Sequence, residues 1–181
     1  MTLSQEDGQL YYKLWLPLLD YVNKKYQINN KMGSMATAKR LEPAAVKQVA
    51  NKLWSDVTII EDYLNKNEDL PDEHKEIVRS WKRRIQGEFL MERHLKKGTI
   101  FISLENEEVY QVSGIISSWE EMFFGAPMPL MIEATFMPFR DVIISDGLIK
   151  PYPILVGSGM KRRFKDVYMT AKKSGRIRQS L

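Results

Sequence analysis

SWKRRIQGEFLMERHLKKGTIFIS, residues 80–103, is where the texture of this chain changes. Up to Lys97 its apolar residues Trp81, Ile85 and Phe89 recur at every fourth position, and Lys96, Lys97 and Gly98 supply a basic last turn and a glycine stop. That pattern predicts the end of a long helix begun after Pro71. From Thr99 the spacing shifts to period two with β-branched residues, so Thr99 to Leu104 reads as a strand. The stretch therefore divides the chain into a helical region, 1–97, and a β-rich region with a C-terminal helix, 98–181, with either one shared core or two.

Ahead of it, Ser4 and Asp7 form a capping pair for a helix whose face is Tyr11, Leu14, Trp15, Leu18, Leu19, Val22 and Tyr26, with Pro17 expected to kink or end its first part. A polar loop from Asn29 to Arg40 follows. Pro43 then opens a second helix carrying Val46, Val49, Ala50, Leu53, Trp54, Val57 and Ile60, within which Ser55 offers an alternative start for a separate helix. Behind residue 98, Glu108 to Ile116 pairs with the first strand across Asn106 and Glu107, and Ser118 caps a short helix from Trp119 to Phe124. Strands are expected at Met131 to Met137, Val142 to Ser145 and Leu148 to Val156. Asp146-Gly147 reads as a hairpin turn, and Pro151 with Pro153 marks an edge strand. The Gly157-Ser158-Gly159 segment leads into a helix with Met160, Phe164, Val167, Tyr168 and Ala171 on one face, capped by Ser158 and stopped by Gly175. The expected fold is α+β: a helical N-terminal half against a small antiparallel sheet or barrel, with a basic C-terminal helix.

The segments KLWLPLLDYVN, SWKRRIQGEFLMERHLKKGTIFIS, PFRDVIISDGLIKPY and KRRFKDVYMTAKKSG resemble a family of uncharacterised bacterial proteins, helical in front and β-rich behind. That family has no established activity, cofactor or catalytic residue. The resemblance implies a bacterial, soluble setting and transfers no site residue.

At 181 residues, with 44% hydrophobic and 28% charged residues, the composition is that of an ordinary globular protein. The absence of cysteine excludes disulfide-linked partners and thiolate metal sites and fits a reducing cytoplasm. Pro17 interrupts the short apolar run Leu14 to Leu19, so no membrane insertion is expected. Charge is unevenly distributed. Residues 157–181 hold eight Lys or Arg against one acid, +7, and since the whole chain sums to +4 the remainder carries −3. Such asymmetry points to polyanionic or acidic partners.

Two basic surfaces follow from this patterning. The C-terminal helix and its tail supply Lys161, Arg162, Arg163, Lys165, Lys172, Lys173, Arg176 and Arg178. On the long helix, Arg79, Lys82, Arg83, Arg93 and Lys97 fall on one third of the circumference, with Leu90 among them. Lysine and arginine neutralise phosphates and release counterions, which yields affinity without sequence preference. The plainer account of each is a solvated helix face.

No catalytic, metal or cofactor signature is present. The glycines at 157 and 159 fail the P-loop spacing, no nucleophile-elbow serine exists, and His74 and His94 lack metal-ligand spacing. Glu88 and Glu92, one helical turn apart on the core side, are the carboxylate pair an enzyme of unknown class would use, against a plainer Arg84-Glu88-Glu92-Lys96 ladder. Phe139 and Tyr152 are the aromatic residues best placed to stack bases, and the segment Trp119 to Pro129 is rich in soft apolar groups suited to a protein partner. The chain reads as a non-enzymatic interaction module, an adaptor or regulator, with nucleic acid as the leading partner, no cofactor and a protein partner as the other form.

Overall fold

A computed structural model of the chain describes residues 1–30, 33–36 and 42–181. The fold is α+β, helical in its first half and sheet-based in its second. It consists of two compact units, a helical unit, Gln5–Lys82, and a β unit made of Met1–Ser4 with Arg83–Leu181. The division falls ahead of residue 97 because the long helix expected there does not form. Its first part is helix α4, Asp72–Ser80, followed by a 3-10 turn, Trp81–Arg83, and then by strand β1, Ile85–Leu95.

In the helical unit, α1 (Gln5–Tyr26) runs unbroken through Pro17. Proline there removes a backbone donor, but Trp15, Leu18 and Leu19 on both sides of it are at most 2% exposed, and their packing holds the turn. Helix α2 (Pro43–Ser55) begins with proline at its first turn, as expected. Helix α3 (Ile59–Lys66) is separate, but Asp56 rather than Ser55 organises its start, accepting from the Thr58 backbone N–H and hydroxyl. Trp15 stacks on Trp54 at 5.4 Å between ring centres and meets Trp81 edge-on at 5.7 Å, so three tryptophans from three elements fix the core. The expected loop from Asn29 to Arg40 lies partly outside the described residues.

The β unit is built on β1, β2 (Gly98–Ser103), β3 (Val109–Val112), β4 (Leu130–Phe139), β5 (Val142–Ser145) and β6 (Lys150–Pro151), with α5 (Trp119–Met122) between β3 and β4 and α6 (Ser158–Lys173) last. Lys96 and Lys97 do not close a helix. They form the two-residue turn of the β1–β2 hairpin, in which Leu95 pairs with Gly98. Gly98 takes a φ of +133°, and a Cβ there would stand 2.9 Å from the Val112 carbonyl oxygen. β1 also pairs with β4, β2 with β3, β4 with β5, and β3 with β5 through the single parallel pair Val112–Ile143. The ladder thus returns on itself as β1-β2-β3-β5-β4-β1, but its β3–β5 seam is so short that the ring is partly open and not a complete barrel.

Asp146-Gly147 is not a hairpin turn. The tight turn is Arg140-Asp141, which joins β4 to β5 and places Arg140 at a φ of 50°. Residues 146–149 instead interrupt one run along the edge of β4, which first pairs as β5 and then as β6. Of the expected strand Leu148 to Val156 only Lys150–Pro151 is regular, at the sheet edge that its prolines select.

Side chains alternate cleanly across the ring. Phe89, Met91, Phe101, Tyr110, Ile132 and Phe136 face inward, and Trp119 of α5 joins them, 4.7 Å edge-on from Phe101. Leu90, Ile100, Ile102 and Val109 face outward and are buried by Val156, Phe164, Tyr168 and Ala171. Because both faces are covered, residues 89–91 and 100–102 read as unbroken apolar runs. The register shifts between Met91 and Arg93, so Glu92 is an extra residue, a β-bulge. Were Glu92 instead paired regularly, Arg93 would follow Met91 into the aromatic interior. With the bulge, Arg93 pairs opposite the outward Ile100.

Candidate functional site

Helix α6 lies over the outer face of β1–β3, and its two flanks differ. At 100° per residue, taking Phe164 as the buried direction, Lys161, Arg162, Lys165, Lys172 and Lys173 occupy an arc of roughly 120° on one side. They span about 18 Å along the axis at 1.5 Å per residue. All five are exposed, and none makes an ion pair with a described residue. Asp166, the helix's one acid, stands just past this arc without an ion pair to it.

The other flank is compensated. Arg163 donates through Nε to Glu107 at 2.8 Å, and Arg178, in the segment after α6, pairs with Glu108. Glu107 and Glu108 come from the β2–β3 turn, where Glu107 adopts a φ of 58°. The Tyr110 hydroxyl also donates to Glu108; burial, then this bond, raises its pKa. The Arg178 backbone pairs with β3, its N–H donating to Val109 and its carbonyl accepting from Gln111, both at 2.9 Å. Between this flank, the turn and residues 175–178 lies a cleft of about 970 Å³ over Val109, Val167 and Ala171. Its arginines, Arg163, Arg176 and Arg178, face as many acids, Glu107, Glu108 and Asp166, so it does not select an anion. Arg176 donates through Nε to Ser174 Oγ.

The start of α6 also departs from expectation. Its N-cap is Gly157, without a side-chain bond, and Ser158 is the first helical residue. The capping box expected at Ser118 is present: its hydroxyl accepts from the Glu121 N–H, and Glu121 accepts from the Ser118 N–H at 2.7 Å, which lowers the Glu121 pKa.

The second basic stripe dissolves with its helix. Arg79 and Lys82 belong to the helical unit and both pair with Glu61, whose pKa they lower, Lys82 most. Arg83 is exposed, and Lys97 is exposed in the β1–β2 turn, its carbonyl accepting from Gln111 Nε2. Arg93 pairs with Glu92 and lies over the Tyr168 ring of α6. Of the thirteen cations, the eight from the C-terminal segment thus gather on α6 and its tail, and Arg93 joins them at the helix edge.

Glu88 and Glu92 are not a helical pair on a core face. Four residues apart on a strand, they are separated by roughly 13 Å. Glu88 is exposed and accepts from the Tyr152 hydroxyl at 2.6 Å, which pushes the Tyr152 pKa up to about 12. Glu133 stands opposite it in the ladder, with Lys150 at 3.8 Å. Among the described residues no three His, Asp or Glu side chains are grouped to hold a metal ion. Phe139 is not a surface residue, at 1% exposed. Phe124, in contrast, is 91% exposed, beside Met122. The exposed pair Ile154 and Leu155 and the acid partners Glu107 and Glu108 are not legible as features in the sequence, since nothing in their spacing marks them. No family model, curated protein or solved structure matches the chain.

Proposed function

We propose that the chain is a non-enzymatic binding module for a polyanionic macromolecule, nucleic acid in its leading form, held along the open flank of α6 in a reducing compartment. The observation that carries this reading is the set of five exposed cations on one flank without acid partners, on a helix whose other flank is paired to Glu107. Solubility alone would be served by interspersed charges of both signs. A partly open five-stranded ring is also the plan of OB-type barrels, which bind oligonucleotides on the outer β2–β3 face. Here that face is buried beneath α6, and the helix presents the cations in its place.

The test is titration of fluorescently labelled mixed-sequence nucleic acid at several salt concentrations with the full chain and with Lys161→Gln/Arg162→Gln/Lys165→Gln. The logarithm of the binding constant should fall linearly with the logarithm of salt, and the triple variant should flatten the slope by about 2 to 3. An unchanged slope removes α6 from the account. A second reading rests on Phe124: an apolar side chain this exposed, beside Met122, supports a protein partner whose affinity tolerates salt and is lost in Phe124→Ser.

A further inference from the structure

We infer that the polyanion taken by α6 is a nucleic-acid duplex, gripped through its phosphates without a base stacked on the protein. This rests on α6 being the polyanion-binding surface and narrows that reading. Proteins that hold single strands combine a basic track with aromatic platforms, and each stacked base is worth about 1–3 kcal/mol. This β unit has the track and lacks the platform. Phe89, Phe101, Tyr110, Phe136 and Phe139 are each at most 1% exposed, turned into the ring or buried beside it. The outer face of β1–β3 carries aliphatic side chains, and the rings of α6, Phe164 and Tyr168, lie on its buried side against them. Tyr152 is committed to Glu88, with Glu133 across the ladder, a carboxylate setting that repels phosphate. Phe124 follows Glu120 and Glu121, again acidic.

What remains is charge, and charge favours the denser polyanion. A duplex presents one phosphate per roughly 1.7 Å of axis when both strands are counted, against roughly 3.4 Å for one strand. Over the same length a duplex therefore presents the five cations with about twice the charge of a single strand. Four of the five are lysines, compact point charges that lack the planar fork with which arginine reads guanine. The grip is consequently independent of sequence.

The experiment uses the full chain with a mixed-sequence DNA duplex of about 24 base pairs, the matching RNA duplex, and the separated strands, one carrying 2-aminopurine. Both duplexes should bind at least about fivefold more tightly than their strands, with a salt slope near −4.5 for five contacts. Lys165→Gln and Lys172→Gln should each reduce that slope by about 0.9. A shuffled sequence should bind equally, and 2-aminopurine fluorescence should stay constant in the bound strand. The DNA and RNA arms identify which duplex is preferred. Strands binding as tightly as duplexes, a change in 2-aminopurine fluorescence, or a strong sequence preference would each overturn the duplex inference while leaving α6 as the binding surface. Absence of binding to all four nucleic acids would overturn both.

Discussion

The guanidinium carbon of Arg93 lies 4.4 Å from the centre of the Tyr168 ring, so a strand cation and a helix aromatic meet face to face. The pairing depends on the bulge at Glu92, which turns Arg93 outward and also supplies its carboxylate partner. The hydrogen bond to Glu92, with that carboxylate's charge, raises the arginine pKa above its ordinary value. Arg93→Gln should destabilise the β unit by about 0.5–1 kcal/mol. Tyr168→Ala, which also removes buried ring area, should cost about 3–5 kcal/mol. Urea unfolding of both variants checks the order; equal losses would mean that the ring contributes only through the cation.

Gly114 tolerates no side chain. A Cβ there would stand 2.0 Å from the Ser117 carbonyl oxygen, within backbone that no rotamer can relieve. Gly114→Ala should therefore lower the melting temperature markedly. At Gly87 the nearest atoms to an added Cβ are 4.0 Å away, and Gly87→Ala should be neutral or slightly stabilising. Thermal melts of the two variants decide it, and similar behaviour would show that the 113–117 turn yields.

His94 couples the β1–β2 hairpin to pH. Its Nδ1 is 2.9 Å from the Thr99 hydroxyl, and burial lowers its pKa, outweighing the attraction of Glu120. A folded-state pKa below the unfolded value of about 6.5 means that the unfolded chain takes up the proton more readily. The stability is present above about pH 6.5 and is lost as pH falls through the depressed value. Protection factors of the hairpin amides, corrected for the intrinsic pH dependence of exchange, should fall over that window in the parent chain, and His94→Gln should remove the histidine's share.

Phe123 and Phe124 are adjacent but opposite in consequence. Phe123 stacks on Trp119 at 6.1 Å with rings 9° from parallel, whereas Phe124 projects outward. Phe123→Ser should destabilise the β unit by about 2 kcal/mol or more, and Phe124→Ser by less than about 0.5 kcal/mol. Chemical denaturation of both tests the split. Phe124→Ser is accordingly the variant that reports on binding without disturbing the fold.

Much of this architecture is legible from side-chain patterning. The face of α1, the proline start of α2, the Ser118 box and the apolar stripe of α6, apart from the exposed Met160, each rest on short-range chemistry that tertiary context does not override. Residues 85–95 mislead because a spacing of four satisfies both periods: Ile85 and Phe89 share a face on a helix and on a strand alike. What distinguishes the two is pairing with β2 and β4, the latter distant in sequence, and a bulge that no local signal announces. The same ambiguity underlies the Arg79-to-Lys97 stripe and the Glu88/Glu92 pair. The flank of α6 is recoverable in principle, since five cations fall on one arc. Its separation from Arg163 and Arg178 requires knowledge of where Glu107 and Glu108 fold.

The extra residue at Glu92 also gives β1 a parity. Before it, odd-numbered positions look into the ring; after it, Arg93 looks out, and the inward and outward roles are exchanged. Loss of one residue here is thereby absorbed by loss of the bulge: with Glu92 deleted, Arg93 follows Met91 directly and still pairs opposite the outward Ile100, whereas loss of two inverts the side chains that follow. A lineage carrying this fold should tolerate loss of the single residue at the bulge, and the hairpin tip at Lys96 and Lys97 is a second place where single-residue changes can be absorbed.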